Sequence, residues 1–331
     1  MTSLIESIAG SFTPDMIGRL GGALGVDAPS VTKALGTLGP LLASGMSKMS
    51  GTPGGADALL GMLPKEAGAF GGIGDLLGSL FGGGSGKAGG DLMSSMFGAG
   101  SSAVAGTLSR ALGFNVAPLM NLVAPAALSA VGALVKGRGL DAAGLGAVLR
   151  SETDAFMADP AQRENAALIG QAFESADAAK SRIASFGDDW AKVLAGPAAA
   201  MAAVATSDLS GPIDSIKEAK AAAAALEQAA RGSAPGSLLA TAFGAGLTPD
   251  MVRRMRELAP TKDRLIDLIG SSAATVAARS PADAAAYRDT LNAVARATAE
   301  ASKDGGFLGI GGKLVSDDEQ RALDAIRAAL G

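Results

Sequence analysis

Histidine and cysteine, which carry much of enzyme chemistry, do not occur in this 331-residue chain. Histidine is the most common general base and metal ligand, and cysteine supplies thiolate nucleophiles and disulfides. Any chemistry would depend on Asp, Glu, Lys, Ser or the single tyrosine, Tyr287, and no group of these stands at catalytic spacing. We therefore predict a protein that is not an enzyme, with no catalytic residue, no cofactor and no metal site.

Three glycine-rich stretches invite comparison with phosphate-binding loops: residues 82–90, 306–314 and 71–78. A P-loop needs a glycine, four residues, and then Gly-Lys followed by Ser or Thr. In the first stretch Phe81 stands at the first glycine position and Ala88 follows the lysine; the second also has phenylalanine at that first position. The third is a loose match, and no strand precedes any of them, so glycine-rich turns are the better interpretation.

The charged clusters have structural explanations as well. The acidic pairs Asp188-Asp189 and Asp317-Asp318 could bind a metal, but carboxylates in a first helical turn also interact favourably with the helix dipole. Residues 251–264 form a basic cluster in which acidic residues are interleaved, and no aromatic residues accompany it. With a net charge of −4, nucleic acid is not a predicted partner.

The elements that would position any site are helices. The chain is 48% hydrophobic with a mean hydropathy of +0.30, but only 4% aromatic. β-Branched residues are sparse and show no alternation, so the fold class is predicted to be all-α. Residues 1–150 hold 32 of the 47 glycines and 17 charged residues, which marks them off from the remainder. We predict a glycine-rich helical domain (1–150), a helical connector (151–189) and a charged helical domain (190–331).

A short apolar segment recurs in the glycine-rich domain. DLLGSLFGGG (75–84) and DLMSSMFGAG (91–100) are identical at six of ten positions, and SLIESIAG (3–10) follows the same pattern. The match extends at an offset of 88, with eight identities in residues 3–27. We interpret residues 3–63 and 91–149 as two copies of one unit of short helices, with 75–84 as an extra copy of its first helix.

Each copy is predicted to contain four helices with recognisable ends. Ser3, Asp75 and Asp91 are N-cap residue types for the first helix, and Asp27 and Asn115 for the second. Pro40 and Pro125 are predicted to open the third helix, and Asp57 and Asp141 to cap the fourth. In the charged domain, Ser316 and Glu319 form a predicted capping box, and Leu323, Ile326 and Leu330 share one face.

The repeated segments are predicted to mediate self-association. Two turns of helix are marginal in water and must pack against something to stay folded. Such a segment can pack on its own chain or on a neighbouring one, and the second choice builds oligomers by exchange. The predicted self-association residues are the large apolar side chains of the two segments: Leu76, Leu77, Leu80, Phe81, Leu92, Met93, Met96 and Phe97.

A membrane role is the alternative, through residues 70–135. Residues 111–135 are uncharged over 25 positions, long enough to span a bilayer. Asn115, Asn121, Pro118 and Pro125 lie inside this stretch, and its counterpart, residues 23–49, carries charges. We predict two helices meeting near Pro125 within a core. The N-terminus has no basic region typical of a secretory signal, so the cytoplasm is the expected location.

The residues also carry a resemblance to known families. LGVD (24–27), followed by Pro40 and LLASGMSKM, resembles the YidB-like bacterial proteins of unknown function, as does the stretch from DLMSSMFG to AGLGAVL (91–149). This resemblance implies an all-helical fold and brings no activity with it. The second half is similar to short uncharacterised bacterial proteins, with a faint similarity to TerB-type domains around Asp304-Gly305 and Glu319, interrupted by residues 307–313.

Overall fold

The computed structural model describes residues 3–63, 86–207, 212–301 and 315–331, and the side chains of all of these except 86–89 and 212–215. Within these ranges the chain is helical and contains no strand, which confirms the predicted all-α class. The chain divides into two compact units, Met1–Ala176 and Asp177–Gly331. The division falls inside one long helix and within the predicted connector of residues 151–189.

The first unit contains eight helices and most of a ninth among its described residues. They are α1 (Leu4–Gly10), α2 (Pro14–Leu24), α3 (Ala28–Ser50), α4 (Gly55–Met62), α5 (Gly86–Phe97), α6 (Ser101–Leu112), α7 (Ala117–Arg138), α8 (Ala142–Ala158) and α9 (Arg163–Phe186), the last of which continues into the second unit.

Several helix ends are those that the sequence predicts. Ser3 caps α1 in a capping box with Glu6, and Asp141 caps α8 by accepting a hydrogen bond from the Gly144 amide at 2.7 Å. Asp27 caps the long helix α3, and the hydrogen bond from Ser30 holds the pKa of its carboxyl below the ordinary value. These caps satisfy amide groups that would otherwise lack partners at a helix start.

Other helix starts were predicted wrongly. Pro40 and Pro125 do not open helices; they lie inside α3 and α7, which begin at Ala28 and Ala117. A proline inside a helix removes one backbone hydrogen bond, and here the packing of long apolar helices sustains the helix through it. The span 111–135 is therefore not two helices meeting near Pro125: α6 ends at Leu112, and α7 runs unbroken through the proline.

The remaining misplaced caps have a common cause. Asp57 lies two residues after Gly55, where α4 begins, and Asp91 lies five residues after Gly86, where α5 begins. In addition, α2 was not predicted, although Thr13 caps it and a proline follows at its first position. Apolar periodicity in an Ala-, Gly- and Leu-rich sequence is too weak to choose between neighbouring cap residues.

In the first unit, two sets of four helices, α1–α4 before residues 64–85 and α5–α8 after them, pack against each other, and α8 lies on α3 and α4. Helices α1, α2 and α4 pack on α3, and α5 and α6 pack on α7. Between the sets, α1 lies on α7, while α3 contacts α5, α6, α7 and α8. The amide of Leu4 also donates a 2.6 Å hydrogen bond to the carboxylate of Glu152 on α8. The short helices α1 and α5 each contact both long helices.

The second unit is built around one small-residue helix. Its helices are α10 (Trp190–Ala205), α11 (Pro212–Gly232), α12 (Leu238–Phe243), α13 (Pro249–Leu258), α14 (Asp263–Arg279), α15 (Ala284–Ala301) and α16 (Asp317–Leu330). Helix α10 contacts each of the others. Ser316 and Glu319 form the predicted capping box, and Leu323, Ile326 and Leu330 are buried as predicted.

A tyrosine occupies the middle of this second core. Tyr287 is fully buried, stacks near Phe243 with ring centroids 6.1 Å apart, and donates a 2.9 Å hydrogen bond to the carbonyl of Val193. Space for its hydroxyl exists because residue 196 is glycine: an added Cβ would meet the tyrosine oxygen and lie 2.7 Å from Ser272 Oγ. Gly196 therefore sets how closely α10 and α15 approach.

We predict that Gly196→Ala lowers the free energy of unfolding of the second unit by about 1–3 kcal/mol, because an extra methyl group is forced against a packed hydroxyl. The control is Gly232→Ala at the end of α11, where a Cβ would have nothing within 4 Å. Fluorescence of Trp190, the single tryptophan, reports unfolding of this unit in urea. Equal midpoints for Gly196→Ala and the parent protein would refute the steric argument.

Candidate interaction site

The predicted apolar face of residues 91–98 is packed inside the first unit. Leu92, Met93 and Phe97 are 0%, 4% and 1% exposed, and Met96 is half-buried. They lie on α5, which packs mainly on α7 and also on α3. Each large apolar side chain buried in this way contributes about 1.5–3 kcal/mol before entropy losses. We call the surface of α3 and α7 that receives this face the α5 groove.

Gly45 shapes one wall of the α5 groove. It lies on α3 beneath Met96, and a Cβ added to it would stand 2.6 Å from the methionine Sδ and 3.5 Å from its Cγ. The absence of a side chain at residue 45 lets the thioether approach the α3 backbone. The sequence identified the methionine as part of an apolar face but gave no sign of this glycine, because their contact joins distant parts of the chain.

Aromatic and cation–π contacts join α5 and α3 to α9. The ring of Phe97 lies 5.4 Å from that of Phe173 on α9, measured between centroids. Lys48 of α3 places its Nζ 3.7 Å above the Phe173 ring, a cation–π contact that is worth roughly 0.5–1 kcal/mol at an exposed site. Sequence reasoning missed Phe173, which lies in a stretch interpreted only as a connector.

Two glycines follow the apolar face and have conformational roles. Gly98, directly after α5, has φ +57°, a left-handed conformation that side chains other than glycine adopt at a cost. Gly100 approaches α9 so closely that an added Cβ would lie 2.6 Å from the carbonyl oxygen of Ala176. The chain therefore needs glycine at both positions to leave α5 and enter α6.

The other predicted self-association residues, Leu76, Leu77, Leu80 and Phe81, lie outside the described residues. The same holds for the glycine-rich stretches 71–78 and 306–314 and for residues 82–85 of the stretch 82–90.

The basic cluster on α13 is largely paired with neighbouring carboxylates. Arg253 contacts Asp250 and Glu257, and Arg254 contacts Asp250 at 2.6 Å. Although burial acts in the opposite direction, these two arginines hold the pKa of Asp250 below its ordinary value. Lys262 donates to the carbonyl oxygen of Thr206. An open cleft of about 460 Å³ lies along the outer face of this helix, a geometry that fits a solvated surface.

The acidic pairs also act within the fold. Asp189 contacts Lys192 at 2.7 Å and Arg279 at 2.8 Å, and these bonds lower the pKa of its carboxyl. Asp317 and Asp318 lie in the first turn of α16. Within the ranges that the structure describes, no three acidic side chains come together as a potential metal site.

One helix among the described residues is long and apolar enough to cross a membrane. Helix α7 has a mean hydropathy of 1.7 in its most apolar 18-residue window, and 56% of that window is buried inside the chain. Core helices of soluble proteins pass the same test, so length and composition do not decide between a core and a membrane.

The first unit has a family match. Residues 6–133 match a family described as a bacterial protein of unknown function (DUF937), a range that begins within α1 and covers most of α7. A search of curated proteins found no match. A search of solved structures likewise found none.

We predict that Gly45→Leu destabilises the first unit by about 1–3 kcal/mol by displacing Met96. Adding Met96→Ala should recover part of this loss, because contacting residues couple in a double-mutant cycle by about 0.5–3 kcal/mol. The matched control is Gly36→Leu on the same helix, where a Cβ has nothing within 4 Å. Circular dichroism in urea measures the change. Purely additive effects of the two substitutions would contradict the described contact.

Proposed function

We propose that this protein is a non-enzymatic structural or interaction protein of the bacterial cytoplasm that associates with copies of itself. The observation that carries the proposal is the packing of the α5 face in a groove whose α3 wall precedes residues 64–85, while α5 follows them. A contact between two parts of one chain can also form between two chains if the connection between the parts permits it.

The exchange we propose involves the two sets of helices in the first unit. Helices α1–α4 of one chain would pair with α5–α8 of another, joined through residues 64–85, which include eight glycines. Each groove would then be filled by the same side chains, including Leu92, Met96 and Phe97. Since closed and exchanged forms share these contacts, protein concentration and the connection decide between them.

The second apolar segment extends the proposal. Leu76, Leu77, Leu80 and Phe81 repeat the face formed by Leu92, Met93, Met96 and Phe97, so each chain carries two segments of this kind. We propose that residues 3–63 and 91–149 are copies of one duplicated unit. Matching ends support this: α2 and α6 both finish at a left-handed glycine, Gly25 and Gly113.

Finer family relationships belong to the same proposal. The YidB-like resemblance of residues 1–150 is compatible with the family match over residues 6–133. The faint TerB-like similarity of the second half rests on its final turn and last helix alone. Neither relationship contributes an activity.

We expect the purified protein to have a mass in solution above the 32.3 kDa of one chain. Met96→Asp and Leu80→Asp should each lower that mass, since a carboxylate placed in an apolar contact must be desolvated, which opens the contact and lets exchanged chains separate. Ser95→Asp is the control, because Ser95 is exposed on the same helix as Met96. Size-exclusion chromatography with light scattering gives the masses. A wild-type monomer at high micromolar concentration would refute self-association.

A membrane-associated role is the second candidate, favoured by the apolar length of α7. It predicts that tagged protein expressed in cells stays in the membrane fraction after a carbonate wash. We expect the protein to be recovered in the soluble fraction instead, because α7 is covered by α5, α1 and α3. Retention in washed membranes would favour the membrane role over self-association in the cytoplasm.

A further inference from the structure

We infer that the α5 groove has a second occupant in the same chain, residues 75–82, which can enter it in place of residues 91–98. The inference concerns the site used in the proposed function, but it does not require a second chain. It rests on the described geometry of the groove and on the match between the two segments at each position where the groove requires an apolar side chain or a glycine.

The first demand is apolar. The groove buries Leu92, Met93 and Phe97 and holds Met96 against Gly45. At an offset of 16, residues 75–82 offer leucine, leucine, leucine and phenylalanine at the same four positions. Two positions are identical and two exchange methionine for leucine, a change that conserves volume and is among those that cores tolerate best.

The second demand is for glycine. Gly98 adopts a left-handed conformation, and Gly100 leaves no space for a Cβ against Ala176. The positions that match these two glycines are Gly82 and Gly84. An apolar face alone would recur by chance in a leucine-rich chain. The two glycines that follow it match the glycines that the chain needs where it leaves the groove.

On the exposed side, the two segments differ at one position. Ser94 is exposed on α5, and its counterpart is Gly78; Ser95 is also exposed, and its counterpart is again a serine. The groove makes no contact that distinguishes these side chains. The three differences between residues 75–82 and 91–98 are therefore this exposed one and two exchanges between leucine and methionine in the groove.

One groove with two matching segments gives the first unit two mutually exclusive arrangements. When residues 75–82 occupy the groove, the apolar face of 91–98 is released and becomes available to another surface. A partner that binds the released face shifts the population by its preference for that arrangement. The groove therefore competes with any outside partner for binding of these two segments.

Cysteine cross-linking tests the inference, because the chain has no cysteine of its own. The reference variant combines Gly45→Cys with Met96→Cys and Leu80→Ala. The added Cβ at residue 45 lies 3.5 Å from the Met96 Cγ, the position that a cysteine sulfur would take, which suits a disulfide. The test variant combines Gly45→Cys with Leu80→Cys and Met96→Ala, so that each variant loses one apolar side chain per segment.

We expect the test variant to form an intrachain disulfide at least about tenfold faster than a control with Ser79→Cys in place of Leu80→Cys, because disulfides require closely spaced Cβ atoms. Non-reducing electrophoresis and peptide mass mapping distinguish intrachain from interchain bonds. An interchain bond alone, or no bond beyond the control rate, would overturn the inference. So would a reference variant that fails to cross-link, since the groove would then not hold its described occupant.

The outcome is separable from that of the proposed function. An intrachain Leu80→Cys bond in a monomeric protein upholds the second occupant and refutes self-association. A dimeric protein without that intrachain bond supports self-association and refutes the second occupant.

Discussion

Close packing against glycine, where a side chain would block a neighbouring group, is the constraint on which both units depend. With 4% aromatic residues, the chain has few large side chains to fill space between helices. Alanine and leucine make up most of the buried apolar residues, so contact area must come from short distances between helices. Gly45 admits Met96, Gly100 admits the α9 backbone, and Gly196 admits the Tyr287 hydroxyl. A side chain at Gly100 or Gly196 would push these groups apart, and one at Gly45 would displace Met96.

Because of this constraint, the first unit is stabilised by the packing of α1–α4 against α5–α8, and single helices contribute little by themselves. Helices α1 and α5 are too short to persist alone, since helix nucleation costs more than two or three turns repay. Each is stabilised by lying on both long helices, α3 and α7. The α5 face packs mainly on α7 and also on α3, and α1 likewise lies on both α3 and α7, so each set covers apolar surface of the other. Surfaces of that kind suit exchange between chains and competition within one chain equally well.

The sequence predicts the class of the fold and the polar N-caps of helices better than it predicts the packing of the apolar interior. Ser3, Asp141 and Ser316 cap helices as expected because a side-chain oxygen next to free amides is a local interaction. Pro40 and Pro125 were assigned to helix starts, but both lie within long helices, where tertiary packing outweighs the loss of one hydrogen bond. Local signals decide helix ends only where packing does not.

The candidate site was likewise predictable only in part. Periodicity grouped Leu92, Met93, Met96 and Phe97 on one face, and the structure buries three of them and half-buries the fourth. The receiving surface was not predictable: Gly45 and Phe173 lie far from α5 in the sequence and have no motif. In a chain with 47 glycines, the sequence does not distinguish a glycine that packs against a side chain from the others.

The two candidate functions compete for the same helix. Self-association by exchange needs α7 as part of the groove, with its apolar side chains covered by α5 and α1. Lipid tails are as apolar as leucine, so moving α7 into a bilayer would not cost hydrophobic energy in itself. It would remove the surface on which α5 packs and leave Leu92, Met93 and Phe97 without their contacts. A membrane form of this chain would therefore have to bury the α5 face elsewhere, whereas the exchanged form keeps each of these contacts and changes only which chain supplies it.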